Sequence, residues 1–265
     1  MKKILVVGAC GGMGKAICNR LLVEGYEVFG MDIAPQTTNT NLHYLSVDIT
    51  KMEAIQEAYR VFSPLIDTLY AIVHVAGIYA MDSLLEIKEE KIIKIFNINV
   101  FGIYRVNQVF APLLKKGSRI VITTSEVAPL DPLPFNGIYS ISKSTLEKYA
   151  YSLRMEMNLL GIQVSILRPG AVKTTLLNQS MSELDWFCTN TKLYQENSKK
   201  FKKIVDRIEA KSVSPERLAR VALKALKAKR PRYVYSINRN FLLKLFNILP
   251  DHMQVWLIGR LLKKE

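Results

Sequence analysis

Short apolar runs alternate along this chain with stretches in which apolar residues return every three or four positions. Runs at 3–7, 26–31, 42–47, 69–75, 119–123 and 163–167 read as buried strands, and 232–237 as a seventh. Between them, helical periodicity predicts a first helix through Ala16, Ile17, Leu21 and Leu22, closed by Gly25. Further helices are predicted over 52–62, in two stretches from about 83 to 114, and over 139–160 and 215–228. Strands and helices alternating in this way imply βαβ units and a parallel sheet covered on both faces. Right-handed crossovers then predict a doubly wound, Rossmann-like α/β fold. No repeat, low-complexity tract or linker interrupts the pattern, so residues 1–265 are expected to form one domain. The periodicity loosens only over 178–212.

With 49% hydrophobic and 23% charged residues, disorder, collagen-like structure and coiled coil are excluded. The opening apolar run at 4–7 is too short for a membrane span or an export signal. Cys10, Cys18 and Cys188 leave one thiol unpaired and lack metal-site spacing, so a reduced, cytoplasmic chain without a metal is expected. Charge is distributed unevenly: residues 1–191 carry 18 Lys and Arg against 17 Asp and Glu, whereas 192–265 carry 19 against 6. Such a basic segment suits anionic surfaces or a solvated face. It contains no nucleic-acid recognition motif, and no nucleic-acid partner is expected.

Gly8-Ala9-Cys10-Gly11-Gly12-Met13-Gly14 follows the first strand and opens directly into the first helix. Glycines there permit close backbone approach, so amide groups at a helix N-terminus can meet a pyrophosphate. Gly8, Gly12, Met13 and Gly14 are therefore candidate dinucleotide contacts. Asp32, eighteen residues past Gly14, sits where an acid accepts hydrogen bonds from the adenosine ribose and repels a 2′-phosphate. No Lys or Arg lies in the turn or directly after Asp32, which favours NAD(H) over NADP(H).

Tyr139 and Lys143 lie four residues apart at a predicted helix start, on one face. A neighbouring ammonium favours the phenolate and makes acid/base work by a tyrosine feasible near neutral pH. Ser125 lies just past the fifth strand, at the sheet edge where open α/β folds place ligands. A Pro-containing loop of the length between Ser125 and Tyr139 lets the two hydroxyls approach.

These motifs resemble the short-chain dehydrogenase/reductase family over roughly residues 3–175. The resemblance implies hydride exchange between a nicotinamide and a secondary alcohol or ketone. Tyr139 would transfer the proton, Ser125 would bind the substrate oxygen, and Lys143 would stabilise the phenolate and hold the nicotinamide ribose. Asn99, in Asn97-Ile98-Asn99-Val100, matches the asparagine of the family's proton relay. Asp48 and Ile49 match the adenine contacts, and Pro169, Gly170, Val172 and Thr174 the segment that meets the nicotinamide. Val7 departs from the family's usual Thr. His74-Val75-Ala76-Gly77 departs from its Asn-Asn-Ala-Gly; Ala76 and Gly77 still permit close cofactor approach, and His74 reads as a structural residue. Homodimers or homotetramers are a family expectation.

After Thr174 the resemblance places a substrate cover, 175–212, carrying Leu176, Leu177, Met181, Leu184, Trp186, Phe187 and Leu193. Together with Leu130, Leu133 and Phe135 it favours a hydrophobic substrate of steroid, retinoid or lipid type. The tail, 239–265, holds Phe241, Leu242, Leu245, Phe246 and Leu249, a break at Pro250, then Val255, Trp256, Ile258, Leu261 and Leu262. With Lys244, Arg260, Lys263 and Lys264 it is patterned as an interfacial amphipathic helix pair, making peripheral membrane contact an expectation. The rival reading is a catalytically silent dinucleotide sensor or scaffold, which would have no need of an acid/base pair.

Overall fold

The computed structural model describes residues 1–35, 41–207 and 212–263. Seven parallel strands form one sheet: β1 Lys3–Val7, β2 Glu27–Asp32, β3 Leu42–Ser46, β4 Leu69–His74, β5 Leu114–Thr123, β6 Gln163–Pro169 and β7 Val234–Ile237. Their order is β3-β2-β1-β4-β5-β6-β7. The chain leaves β1 toward β2 on one side and returns to β4 on the other, so the winding reverses between β1 and β4. Ligand crevices of doubly wound sheets open at this point.

Both sheet faces are covered, which explains the unbroken apolar runs. Ile4 and Val6 of β1 pack with helices α1 (Gly12–Val23) and α8 (Pro215–Lys227) through Ile17, Leu21, Leu218 and Leu226. Leu5 and Val7 face the other way, toward α2 (Met52–Phe62), α4 (Gly102–Phe110) and α5 (Gly137–Leu159).

Two regions differ from the sequence expectation. The two stretches predicted between 83 and 114 form one helical run, α3 (Glu89–Phe96) joined to α4 by a π turn, Asn97–Phe101, while β5 already begins at Leu114. One extra residue in a turn leaves the apolar periodicity almost unchanged, so a π turn is invisible in sequence. The loosened stretch folds as two helices, α6 (Thr175–Asn190) and α7 (Gln195–Arg207). Part of the expected cover, 208–211, lies outside the described residues, as does Lys264 of the tail.

The tail forms α9 (Phe241–Phe246) and α10 (Asp251–Leu262), with the break at Pro250 where it was expected. Leu262 joins Leu184, Phe187, Phe201 and Phe135 in a small apolar cluster separate from the sheet core. Phe135 has φ of 64°, a strained value for a bulky residue, and is held there by ring contacts with Phe187, Tyr194 and Phe201.

Candidate active site

At the reversal point a crevice of about 450 Å³ runs along the carboxyl edge of the sheet. Gly8, Gly12, Met13, Gly14, Asp32, Asp48, Ile49, Ala76, Gly77 and Thr174 all line it. Its floor admits no side chains: Gly8 has φ of 90°, and a Cβ there would lie 2.5 Å from the Ala76 amide nitrogen. At Gly14 a Cβ would lie 1.9 Å from the Gly8 carbonyl oxygen. The backbone of the turn is thereby left bare toward the crevice at the N-terminus of α1, the arrangement that suits a pyrophosphate. Asp32 closes the far end: its carboxylate accepts from the amides of Cys10 at 2.8 Å and Ala34 at 3.1 Å, tying the turn to β2. Among the described residues lining the crevice there is no Lys or Arg. Asp48 accepts from both the amide and the hydroxyl of Thr50.

A second pocket of about 180 Å³ adjoins the first; Met13, Val75, Gly77, Thr174 and Leu176 line both. Ser125, Tyr139 and Lys143 converge on it, with Pro169, Gly170 and Val172 opposite. β5 delivers Ser125 and the first turns of α5 deliver Tyr139 and Lys143. The Ser125 hydroxyl lies near enough to the Tyr139 phenol to act on its titration. Lys143 Nζ lies 5.9 Å from the centroid of the Tyr139 ring and 3.5 Å from the Thr123 carbonyl oxygen.

Burial dominates the titration of both groups. It pushes the Tyr139 phenol up to about 12 against the opposing influence of Ser125, and it brings the Lys143 ammonium down to about 8. Desolvation is the largest cause in both cases, since each charged form loses its water on burial.

Asn99 stands one layer behind, in the π turn. Its amide accepts from Ile78 N at 2.9 Å and donates to Ile78 O at 3.0 Å and Ser142 Oγ at 3.1 Å. A Cβ added to Gly77 would lie 3.2 Å from both Asn99 Oδ1 and Lys143 Nζ, so these two groups flank the same glycine. His74 lines neither pocket; it is fully buried and its Nε2 bonds Asn107 Oδ1 at 2.8 Å.

Sequence reasoning passed over three residues. Tyr79 packs its ring 4.7 Å from that of Tyr139. Glu147 of α5 makes a bidentate pair with Arg168 of β6, at 2.7 and 2.5 Å, and accepts from Thr124, fixing the helix that carries Tyr139 against the sheet. Glu126 lines the second pocket directly beside Ser125. The helical spacing of Glu147 and the adjacency of Glu126 to Ser125 were the only signals, and neither is specific.

Residues 2–185 match the family model for short chain dehydrogenases. Over 255 residues the chain is 26% identical to a 3-ketodihydrosphingosine reductase of Bacteroides thetaiotaomicron, covering 94% of each chain. It is 27% identical to an NADPH-dependent 3-dehydrocapnine reductase of Ornithobacterium rhinotracheale, covering 100% of this chain and 98% of the relative. In fold it superposes on a short chain dehydrogenase family protein of Francisella tularensis with a TM-score of 0.75, at 23% identity, over 89% of this chain and 97% of that one. The chain belongs to the short-chain dehydrogenase/reductase family and is an NAD(P)-dependent oxidoreductase of alcohol or ketone groups.

Proposed function

We propose that the chain transfers hydride between NAD(H) and a hydrophobic secondary alcohol or ketone of steroid, retinoid or lipid type, with Tyr139 as the general acid/base. The observation that carries this reading is the convergence of Ser125, Tyr139 and Lys143 on a pocket continuous with the glycine-floored crevice. Gly8, Gly12, Met13, Gly14, Asp32, Asp48, Ile49, Ala76 and Gly77 hold the adenosine and pyrophosphate; Pro169, Gly170, Val172 and Thr174 hold the nicotinamide end. The nicotinamide supplies or takes up the hydride. Ser125 donates a hydrogen bond to the substrate oxygen, and Tyr139 exchanges the proton with it. Lys143 binds the ribose and supports the phenol, while Asn99 links Lys143 to solvent.

The preference for NAD(H) rests on Asp32 and on a crevice without a cationic lining residue among those described. Residues 1–265 work as one catalytic domain, expected as a homodimer or homotetramer, in which 175–212 covers the substrate. Leu176 and Leu177 of α6 line the catalytic pocket and supply apolar contact for such a substrate. Two relatives whose names denote reductases of 3-ketodihydrosphingosine and 3-dehydrocapnine support the assignment to ketone reduction. We further infer that the tail rests peripherally on an anionic membrane surface, although no helix among the described residues is long and apolar enough to cross one.

Steady-state turnover of steroid, retinoid and fatty ketones and alcohols, with NADH or NADPH and read by nicotinamide absorbance, tests this reading. Tyr139→Phe should lower kcat by ~100- to 10,000-fold while NADH binding persists. Near-normal turnover in that variant removes Tyr139 from the role.

A further inference from the structure

The catalytic pocket contains an acid that the reaction does not use. Glu126 lines it beside Ser125, and its backbone is fixed by a hydrogen bond from its amide to the Pro169 carbonyl at 2.8 Å. One carboxylate oxygen, Oε2, accepts from the Asn240 amide at 2.6 Å. The other, Oε1, lies over Gly170: a Cβ added to that glycine would be 2.7 Å away. Oε1 thus sits against Gly170 in the lining of the same pocket, and no hydrogen bond to it forms among the described residues.

Charge around this acid is not balanced. None of the ion pairs among the described residues involves Glu126. Arg239 is near enough to lower its pKa, but burial outweighs that influence and raises the carboxyl. Glu126 in turn acts on the Tyr139 phenol, raising it further. A half-buried carboxylate without a paired cation is costly to keep beside a reacting centre. That cost is recovered only when a ligand brings the missing donor.

We propose that Glu126 is a recognition carboxylate for an ammonium carried by the substrate next to the carbon that exchanges hydride, so that the preferred substrates are amino ketones and amino alcohols. With the substrate oxygen between Ser125 and Tyr139, an amine on the neighbouring carbon can be met by Glu126, which lines the same pocket. Glu126 is the acid among the residues lining this pocket, and Lys143, its one cation, lies on the Tyr139 side. This inference deepens the redox reading of the same site and rests on it.

The test uses the full-length protein with NADH and two long-chain ketones identical except that one carries an α-amino group. The wild type is expected to reduce the amino ketone with a kcat/KM at least ~30-fold higher. Glu126→Gln, which keeps an oxygen for the Asn240 amide, should erase that preference, bringing the kcat/KM values of the two ketones within about threefold of each other. A carbonyl-free long-chain alkylamine should inhibit the wild type competitively and the variant far less. Equal losses on both ketones in Glu126→Gln, or a wild type indifferent to the amine, overturn the proposal and leave the redox reading standing. Turnover of neither ketone, nor of any steroid, retinoid or fatty ketone or alcohol, overturns the redox reading and this proposal with it.

Discussion

His74 stands completely buried at the carboxyl end of β4, with Nε2 bonded to Asn107 and Nδ1 unpaired. Burial brings its pKa from 6.5 down to about 4, against the opposing hydrogen bond from Asn107. The folded protein therefore holds the neutral ring where the unfolded chain would protonate it. The resulting stability is complete above pH 6.5 and is lost as pH falls toward about 4, a change on the order of 3 kcal/mol. Urea titrations at a series of pH values should show His74→Gln with a flatter decline than wild type across that window; parallel curves would assign the decline to other groups. Residues of this kind mark the limit of sequence reading. Tyr139 and Lys143 were legible because i, i+4 spacing fixes their common face. Glu126 was not, because its character comes from Asn240, 114 positions away, and from the bare backbone of Gly170. For the same reason the raised pKa of Tyr139 was not legible: spacing gives the neighbour, whereas burial is the largest influence on the phenol.

Among elements, strands β1 to β6 were readable because burial on both faces writes itself as continuous apolar runs. Helices α6 and α7 were not. In α7 only Ser198 and Phe201 are buried, too narrow an apolar stripe to stand out among its lysines. Asp32 ends β2 and binds the Cys10 amide, so one carboxylate both shapes the turn and sets the charge that an adenosine ribose meets. Asp32→Ser keeps a short acceptor but removes the negative charge that repels a 2′-phosphate. Steady-state kinetics of the variant should show the kcat/KM ratio of NADH to NADPH falling by roughly 10- to 100-fold, from two opposing changes. An unchanged ratio would place cofactor discrimination elsewhere than at this strand end.

At the scale of the whole molecule, net charge of +14 is concentrated in the last quarter of the chain, and the tail there is fastened to the body by particular contacts. Asn247 and Gln254 bond Asp131, in the loop leading to Tyr139, and Leu262 is buried against α7. Other side chains of the tail are left to solvent: Phe241 is 72% exposed and Trp256 67%, with Leu242, Leu245, Ile248 and Val255 also exposed. In α9 and its extension, positions 241, 245 and 248 fall on one helical face. Arg260 belongs to α10 and Lys263 follows it, and Lys200 of α7 reaches the Lys263 carbonyl. Apolar side chains rimmed by cations suit the headgroup region of an anionic bilayer, where burial and surface potential act together. A surface contact there also brings the loop between Ser125 and Tyr139 close to a source of hydrophobic substrate. The full-length protein should co-sediment with vesicles containing about 30% phosphatidylglycerol and far less with pure phosphatidylcholine. Raising salt to about 0.5 M should weaken the association by screening. Phe241→Ser, Leu245→Ser and Trp256→Ser together change only exposed positions, so thermal stability should stay near wild type while vesicle affinity falls roughly tenfold or more. Equal binding to neutral and anionic vesicles, or none to either, would overturn the membrane reading. If the triple variant instead halves the mass in light scattering, the apolar face belongs to a second copy of the chain.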